Sequence, residues 1–141
     1  MAQILIVDDD PLCAAMLHHI LMREGHRPLV VGGAGKAMAA LDAGVRVDIL
    51  VTDILMPDMD GFELIRALRA GNAGLPILAL SSGGECSYPN ILSMARALGA
   101  DRALYKPVSA TVILSTIRDL LHGRVNPISI DGTTADGERA A

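Results

Sequence analysis

Asp8 and Asp9 follow the run ILIV directly, Asp53 ends the apolar stretch ILVTD, Ser81 ends ILALS, and Lys106 follows ALY. An acid at the end of a segment built for burial is costly to desolvate, so it needs a partner or a task. Three carboxylates held together repel and raise one another's pKa unless a cation sits among them. A hard divalent ion with oxygen ligands and several retained waters, Mg²⁺ foremost, suits such a set. With that ion in place Asp53 can stay ionised and attack phosphorus as a nucleophile, the metal and Lys106 neutralising phosphoryl oxygens in the transition state. The chemistry requires a fold that gathers five residues scattered along most of the chain.

The hydrophobic pattern supplies one. QILIV (3–7) is a short branched apolar run of the kind a doubly covered strand shows. Asp10 can cap, and Pro11 can open, a helix whose Leu12, Met16 and Ile20 recur at spacing four, with Leu17 and Leu21 beside them and Gly25 placed to end it. Further strands are expected at 28–31, 47–53, 75–81 and 102–105, and further helices at 34–43, 60–70, 90–99 and 109–123. Phe62, Ile65 and Leu68 form one stripe of the 60–70 helix. Pro28 cannot donate to a ladder and argues for a sheet edge. Five strands alternating with five helices predict an α/β fold, a parallel sheet doubly wound by helices on both faces. In such a sheet ligands bind beyond the carboxyl ends of the strands. All five candidate residues project from that rim.

Other classes are less well served. The chain is 51% hydrophobic with a mean hydropathy of +0.40, yet Gly, Pro, Ser and His break its apolar runs before any reaches the ~20 residues of a membrane span. The start MAQILIVDDD has no basic region and meets acid early, unlike a signal peptide. Cys13 and Cys86 lack metal-type spacing and fit a reducing cytoplasm better than a disulfide framework. A net charge of −4 with no extended basic cluster gives no footing for direct nucleic-acid binding. The scattered His18, His19, His26 and His122 read as solvated or helix-end residues, and Met16, Met22, Met38, Met56, Met59 and Met94 as core filler. Asp10, Asp58 and Asp60 read as turn and cap formers.

The motifs ILIVDDDP, VTDILMPDMDG, LPILALSS and GADRALYKPV, in that order, resemble the receiver domain of two-component response regulators, the single-domain chemotaxis type included. The likeness covers residues 3–121. It implies a flavodoxin-like five-stranded sheet in order 2-1-3-4-5, a receiver over 1–122 and a flexible tail over 123–141. It implies that Asp53 is the phosphoacceptor, that Asp8, Asp9 and Asp53 with the backbone carbonyl of Leu55 hold Mg²⁺, that Ser81 bonds the phosphoryl group and that Lys106 is the family's lysine, joined to Pro107 by a cis bond. The donor would be a sensor histidine kinase or a histidine phosphotransfer protein. The readout would be a downstream protein meeting the face made by the fourth helix, fifth strand and fifth helix, with a homodimer allowed. A cytoplasmic signalling module of this kind catalyses only its own phosphorylation and dephosphorylation.

The chain departs from the family pattern in places. The segment SSGGECSYPN after the fourth strand is longer and richer in glycine than usual. The position three before the lysine, commonly aromatic, is Ala103, and Tyr105 follows on the same strand face. Val108 replaces a common Phe. Leu55 and Gly83, each two residues beyond a reacting group, offer no polar side chain to orient an attacking water, which predicts slow self-dephosphorylation. Two alternatives stand beside the main reading. One is a degenerate receiver acting as a scaffold. The other is a phosphatase of the haloacid-dehalogenase type, for which Asp8 and Asp10 would form the acid pair and Asp53 would go unexplained.

Overall fold

Short branched runs and helical periods alternate along the chain, and the computed structural model, which describes residues 2–56, 61–71, 74–82 and 90–123, folds them in that alternation. The elements are β1 (Gln3–Val7), α1 (Pro11–Arg23), β2 (Arg27–Val31), α2 (Ala34–Asp42), β3 (Ile49–Asp53), α3 (Gly61–Gly71), β4 (Ile77–Ser82), α4 (Ile91–Leu98), β5 (Arg102–Lys106) and α5 (Ala110–Leu121). The five strands form one parallel sheet in the order β2-β1-β3-β4-β5. Pro28 lies on the edge strand β2, as its missing N–H requires. No helix among the described residues is long and apolar enough to cross a membrane.

Alternation along the strands divides the core into two layers. Leu5, Val7, Leu50, Ile77 and Ala79 meet Ala34, Ala37, Leu64, Ile65, Leu68, Ile91 and Ala95 of α2, α3 and α4. Ile4, Ile6, Ile49, Val51, Leu78 and Leu80 meet Leu17, Leu21, Ile113, Ile117 and Leu120 of α1 and α5. Central β3 is buried at every position, and each large side chain buried this way contributes about 1.5–3 kcal/mol. The sheet is thereby a rigid platform, and its C-terminal rim carries the candidate residues on fixed stems.

Several boundaries and faces differ from expectation. β3 starts at Ile49 rather than 47, because Asp48 turns its carboxylate to the Gln3 N–H at 2.8 Å. β4 starts after Pro76, whose carbonyl accepts from Leu50 N–H at 3.0 Å while its nitrogen has no hydrogen to give. On α1 the inward stripe is Ala14, Leu17 and Leu21; Leu12 and Met16 face solvent. The helix carries apolar residues on most of its circumference, so the spacing-four series marked a face without telling which one packs. The methionines are likewise not all filler, since Met16, Met22 and Met94 are exposed and Met56 is buried. Asp58, Met59, Asp60, Gly83, Cys86 and the 124–141 tail lie outside the described residues.

Candidate functional site

The parallel register brings the ends of β1, β3, β4 and β5 to one rim. There Asp8, Asp9 and Asp53 each offer a carboxylate oxygen, all within 4.8 Å of one another, close enough to share one cation. Asp8 and Asp53 are buried and Asp9 is exposed, so the trio opens to solvent on one side. Lys106 Nζ reaches in from the end of β5, 2.9 Å from Asp8 Oδ2 and 3.5 Å from Asp53 Oδ1. The Lys106–Pro107 bond is cis.

Each stem is locally braced. Asp8 Oδ1 accepts from the Asp10 N–H at 2.9 Å, while the Asp10 carboxylate turns away to cap α1, accepting from Leu12 N–H at 3.0 Å. Asp10 is therefore a cap, as expected, and the acid pair that a dehalogenase-type phosphatase would need is not formed. Asp53 Oδ1 accepts from the Ile54 N–H at 3.1 Å, and Thr52 Oγ1 donates to the Asp53 carbonyl at 2.8 Å. Gly61, at the start of α3, donates its N–H to Ile54 O at 2.6 Å. A β-carbon there would collide with the Asp53 carbonyl and stand 2.7 Å from Ile54 Cα, so glycine alone permits this approach.

Ser81 is fully buried at the end of β4, and its Oγ has no hydrogen-bond partner among the described residues. A buried hydroxyl left unpaired costs free energy, which fits a group held for a ligand oxygen. Leu55 is 42% exposed at the pocket mouth. Tyr105 is half exposed, and its register partner across the β4–β5 pair is Ser81. The strand alternation puts Tyr105 and Ala103 on the face turned toward α4.

Burial pushes the Asp53 carboxyl up to about 6; the Lys106 ammonium opposes the shift and the charges of Asp8 and Asp9 add to it. A site with this donor set favours a cation, which would offset the repulsion and keep Asp53 ionised. Burial pulls the Lys106 ammonium down, but its bond to Asp8 and the nearby charges of Asp53 and Asp8 outweigh that and hold it above its ordinary value. Asp10 lies below the usual carboxylate range because the Cys13 thiol and the Leu12 N–H bond it. The same neighbourhood, burial first and Asp10 second, raises the Cys13 thiol, which leaves it an inert thiol at neutral pH.

The structure thus gathers Asp8, Asp9, Asp53, Ser81 and Lys106. Sequence reasoning missed the Gly61 contact, for which the only signal was a glycine placed at a helix start where glycine is a poor helix former. It also missed Thr52 and Cys13 as neighbours.

The response regulator receiver domain family matches residues 4–118. Among curated relatives, the probable transcriptional regulatory protein TcrX of Mycobacterium tuberculosis is 33% identical over 118 residues, 84% of this chain and 49% of TcrX. The DNA-binding response regulator MtrA of Mycolicibacterium smegmatis is 33% identical over 116 residues, 82% of this chain and 49% of MtrA. The chain spans about half the length of the curated relatives it matches. Among solved structures, the signal receiver domain of a signal transduction histidine kinase from Syntrophus aciditrophicus superposes with a TM-score of 0.79 at 33% identity, covering 87% of this chain and 92% of that one. A CheY-like receiver domain from Methanospirillum hungatei gives a TM-score of 0.78 at 28% identity, covering 88% and 96%.

Proposed function

This chain belongs to the response regulator receiver family of two-component signalling, and on that premise we propose that Asp53 is its phosphoacceptor. The observation that carries the reading is the buried Asp53 carboxylate, 3.5 Å from Lys106 Nζ and within one cation's reach of Asp8 and Asp9. Asp8, Asp9 and Asp53, with the Leu55 backbone carbonyl, would hold Mg²⁺. When bound, that ion supplies charge neutralisation for the phosphoryl oxygens and lowers the acceptor's pKa.

An Asp53 carboxylate oxygen attacks the phosphorus of a phosphohistidine on a sensor kinase or phosphotransfer protein. The new P–O bond forms as the P–N bond breaks, and the imidazole leaves with the electron pair. Lys106 neutralises an oxygen of the transferred group, and the buried Ser81 hydroxyl turns its hydrogen to another, gaining the partner it lacks. Hydrolysis of the acyl phosphate returns the site to its start. In this reading the domain catalyses its own phosphorylation and dephosphorylation and nothing else. The receiver occupies residues 1–122, followed by a tail over 123–141, and it signals by altered contact of the α4–β5–α5 face with a partner protein.

Incubation with Mg²⁺ and acetyl phosphate, followed by intact mass measurement beside Asp53→Asn, tests this. The wild type alone should gain ~80 Da, the mass of one phosphoryl group. A gain on Asp53→Asn as well would move the acceptor elsewhere. No gain, with Mg²⁺ binding demonstrated, would make the chain a scaffold that keeps the pocket without the chemistry.

A further inference from the structure

The two ends of α4 are held very differently. At its C-terminal end Gly99 adopts φ +128°, a conformation that favours glycine, and a β-carbon there would collide with Arg69 Cγ. Arg69, from α3, spans that end: Nε–H donates to Gly99 O at 2.8 Å, Nη1 to Leu75 O at 2.6 Å and Nη2 to Asp101 Oδ2 at 2.9 Å. The same Asp101 oxygen accepts from Ile77 N–H at 2.8 Å, and Asp101 N–H bonds Ile77 O at 2.8 Å. One guanidinium therefore ties α3, the entry to β4, the α4–β5 turn and β5 into a single bonded block.

The N-terminal end has no counterpart. Asn90 occupies the cap position without a side-chain cap bond. Ile91 is buried in the core, but beside it an open cleft of about 640 Å³ separates the first turn, at Asn90, Leu92 and Ser93, from Ala103, Tyr105 and Val108. The small Ala103 side chain leaves that space empty. Tyr105, which lines it, pairs in register with Ser81, so the cleft adjoins the one buried hydroxyl in the acid pocket that lacks a partner.

We propose that α4 is a lever hinged at Gly99 and clamped there by Arg69, and that modification of the pocket moves only its first turn, across the cleft beside Tyr105. The proposal rests on Asp53 being the phosphoacceptor. When Ser81 turns to the phosphoryl group the end of β4 shifts against Tyr105, and the displacement enters α4 at its unclamped end. A helix free at both ends would instead slide or melt as a whole, and the partner face would lose its shape. The clamp converts the same input into a rotation about a fixed point.

Amide hydrogen exchange on the full chain, with Mg²⁺ and with or without acetyl phosphate, reads this residue by residue. In the wild type phosphorylation should speed exchange at Met94, whose N–H bonds Asn90 O, by about tenfold, with Gly99, Ala100 and Asp101 unchanged. In Arg69→Gln the phosphoryl gain at Asp53 should persist, and the response should spread to Gly99–Asp101. An equal response along α4 in the wild type, or an unchanged pattern in the variant, would overturn the hinge. If Arg69→Gln does not fold, Asp101→Asn removes the ion pair and keeps an acceptor for Ile77, and the same two outcomes apply. Intact mass separates the two readings: with no phosphoryl gain the receiver chemistry fails. The hinge is then judged on the unmodified protein, where Arg69→Gln must speed exchange at Gly99–Asp101 more than at Met94, and an equal rise rejects it.

Discussion

The two rims of one sheet treat their charges in opposite ways. At the C-terminal rim three carboxylates share one ammonium, a buried hydroxyl has no partner among the described residues, and Asp53 is held with its pKa pushed up to about 6. At the N-terminal rim Arg69 meets two carbonyls and the Asp101 carboxylate, and Asp48 accepts from Gln3 N–H. Both rims are built from the same strands, so packing does not explain the contrast. The lower rim satisfies its polar groups and thereby stabilises the fold, whereas the upper rim keeps polar groups unsatisfied so that an added cation and phosphoryl group can complete them.

The sharpest way to break the comparison is to remove one charge from each rim and ask for the sign of the stability change. Arg69→Met strips the clamp and leaves Asp101 and two carbonyls short of donors. The side chains of Arg69 and Asp101 are 18% and 27% exposed, so water recovers part of the loss and the expected cost is about 2–3 kcal/mol. Urea denaturation in metal-free buffer measures it. A cost below about 0.5 kcal/mol would mean that the lower rim is no better satisfied than an ordinary surface.

At the upper rim the sign reverses. Asp53 titrates near 3.8 when unfolded and near 6 when folded. Below pH 4 it is protonated in both states and costs nothing. As pH rises from 4 to 6 the unfolded chain loses the proton first, so stability falls through that window and stays lower above it. Asp53→Asn removes the penalty and should raise metal-free stability at pH 7.5 by about 1–3 kcal/mol, with the gain vanishing at pH 4. Mg²⁺ should narrow the gap by stabilising the wild type more than the variant. A wild type that gains stability between pH 4 and 6 relative to Asp53→Asn would show that the upper rim is not strained by its charge.

Sequence pattern made these two rims unequally legible. The acids could be placed because each stands at a strand end, and a parallel sheet sends all strand ends of one kind to one rim; Asp8, Asp53, Ser81 and Lys106 needed no further information. The strands themselves were visible as branched apolar runs, though Asp48 and Pro76 shortened two of them by spending their polar groups on neighbouring strands. The Arg69 clamp was invisible. Its partners are mainly backbone carbonyls, which every residue has, and Gly99 lies thirty positions away. Gly61 was read as the first residue of a helix, since only the assembled structure sets a strand carbonyl against it. On α1, apolar residues on most sides hid the inward face, and Ala14, a small residue, proved to lie on it.

The smallest effect tests the reactivity of the strained rim rather than its stability. Leu55 stands two residues past Asp53, 42% exposed at the mouth of the pocket. A water attacking the acyl phosphate must pass this apolar side chain and finds on it no acceptor to orient its proton. Leu55→Asn supplies one and should shorten the phosphoryl lifetime by about tenfold, or roughly 1.4 kcal/mol of barrier. Decay of the phosphorylated mass after removal of acetyl phosphate gives the rate for both proteins. Wild-type decay within seconds would show that water is already positioned by another group, and the slow return assigned to Leu55 would then be wrong even with Asp53 confirmed as the acceptor. Equal and slow decay in both would place the barrier in water access from the Lys106 side, where a polar residue at 55 has no reach.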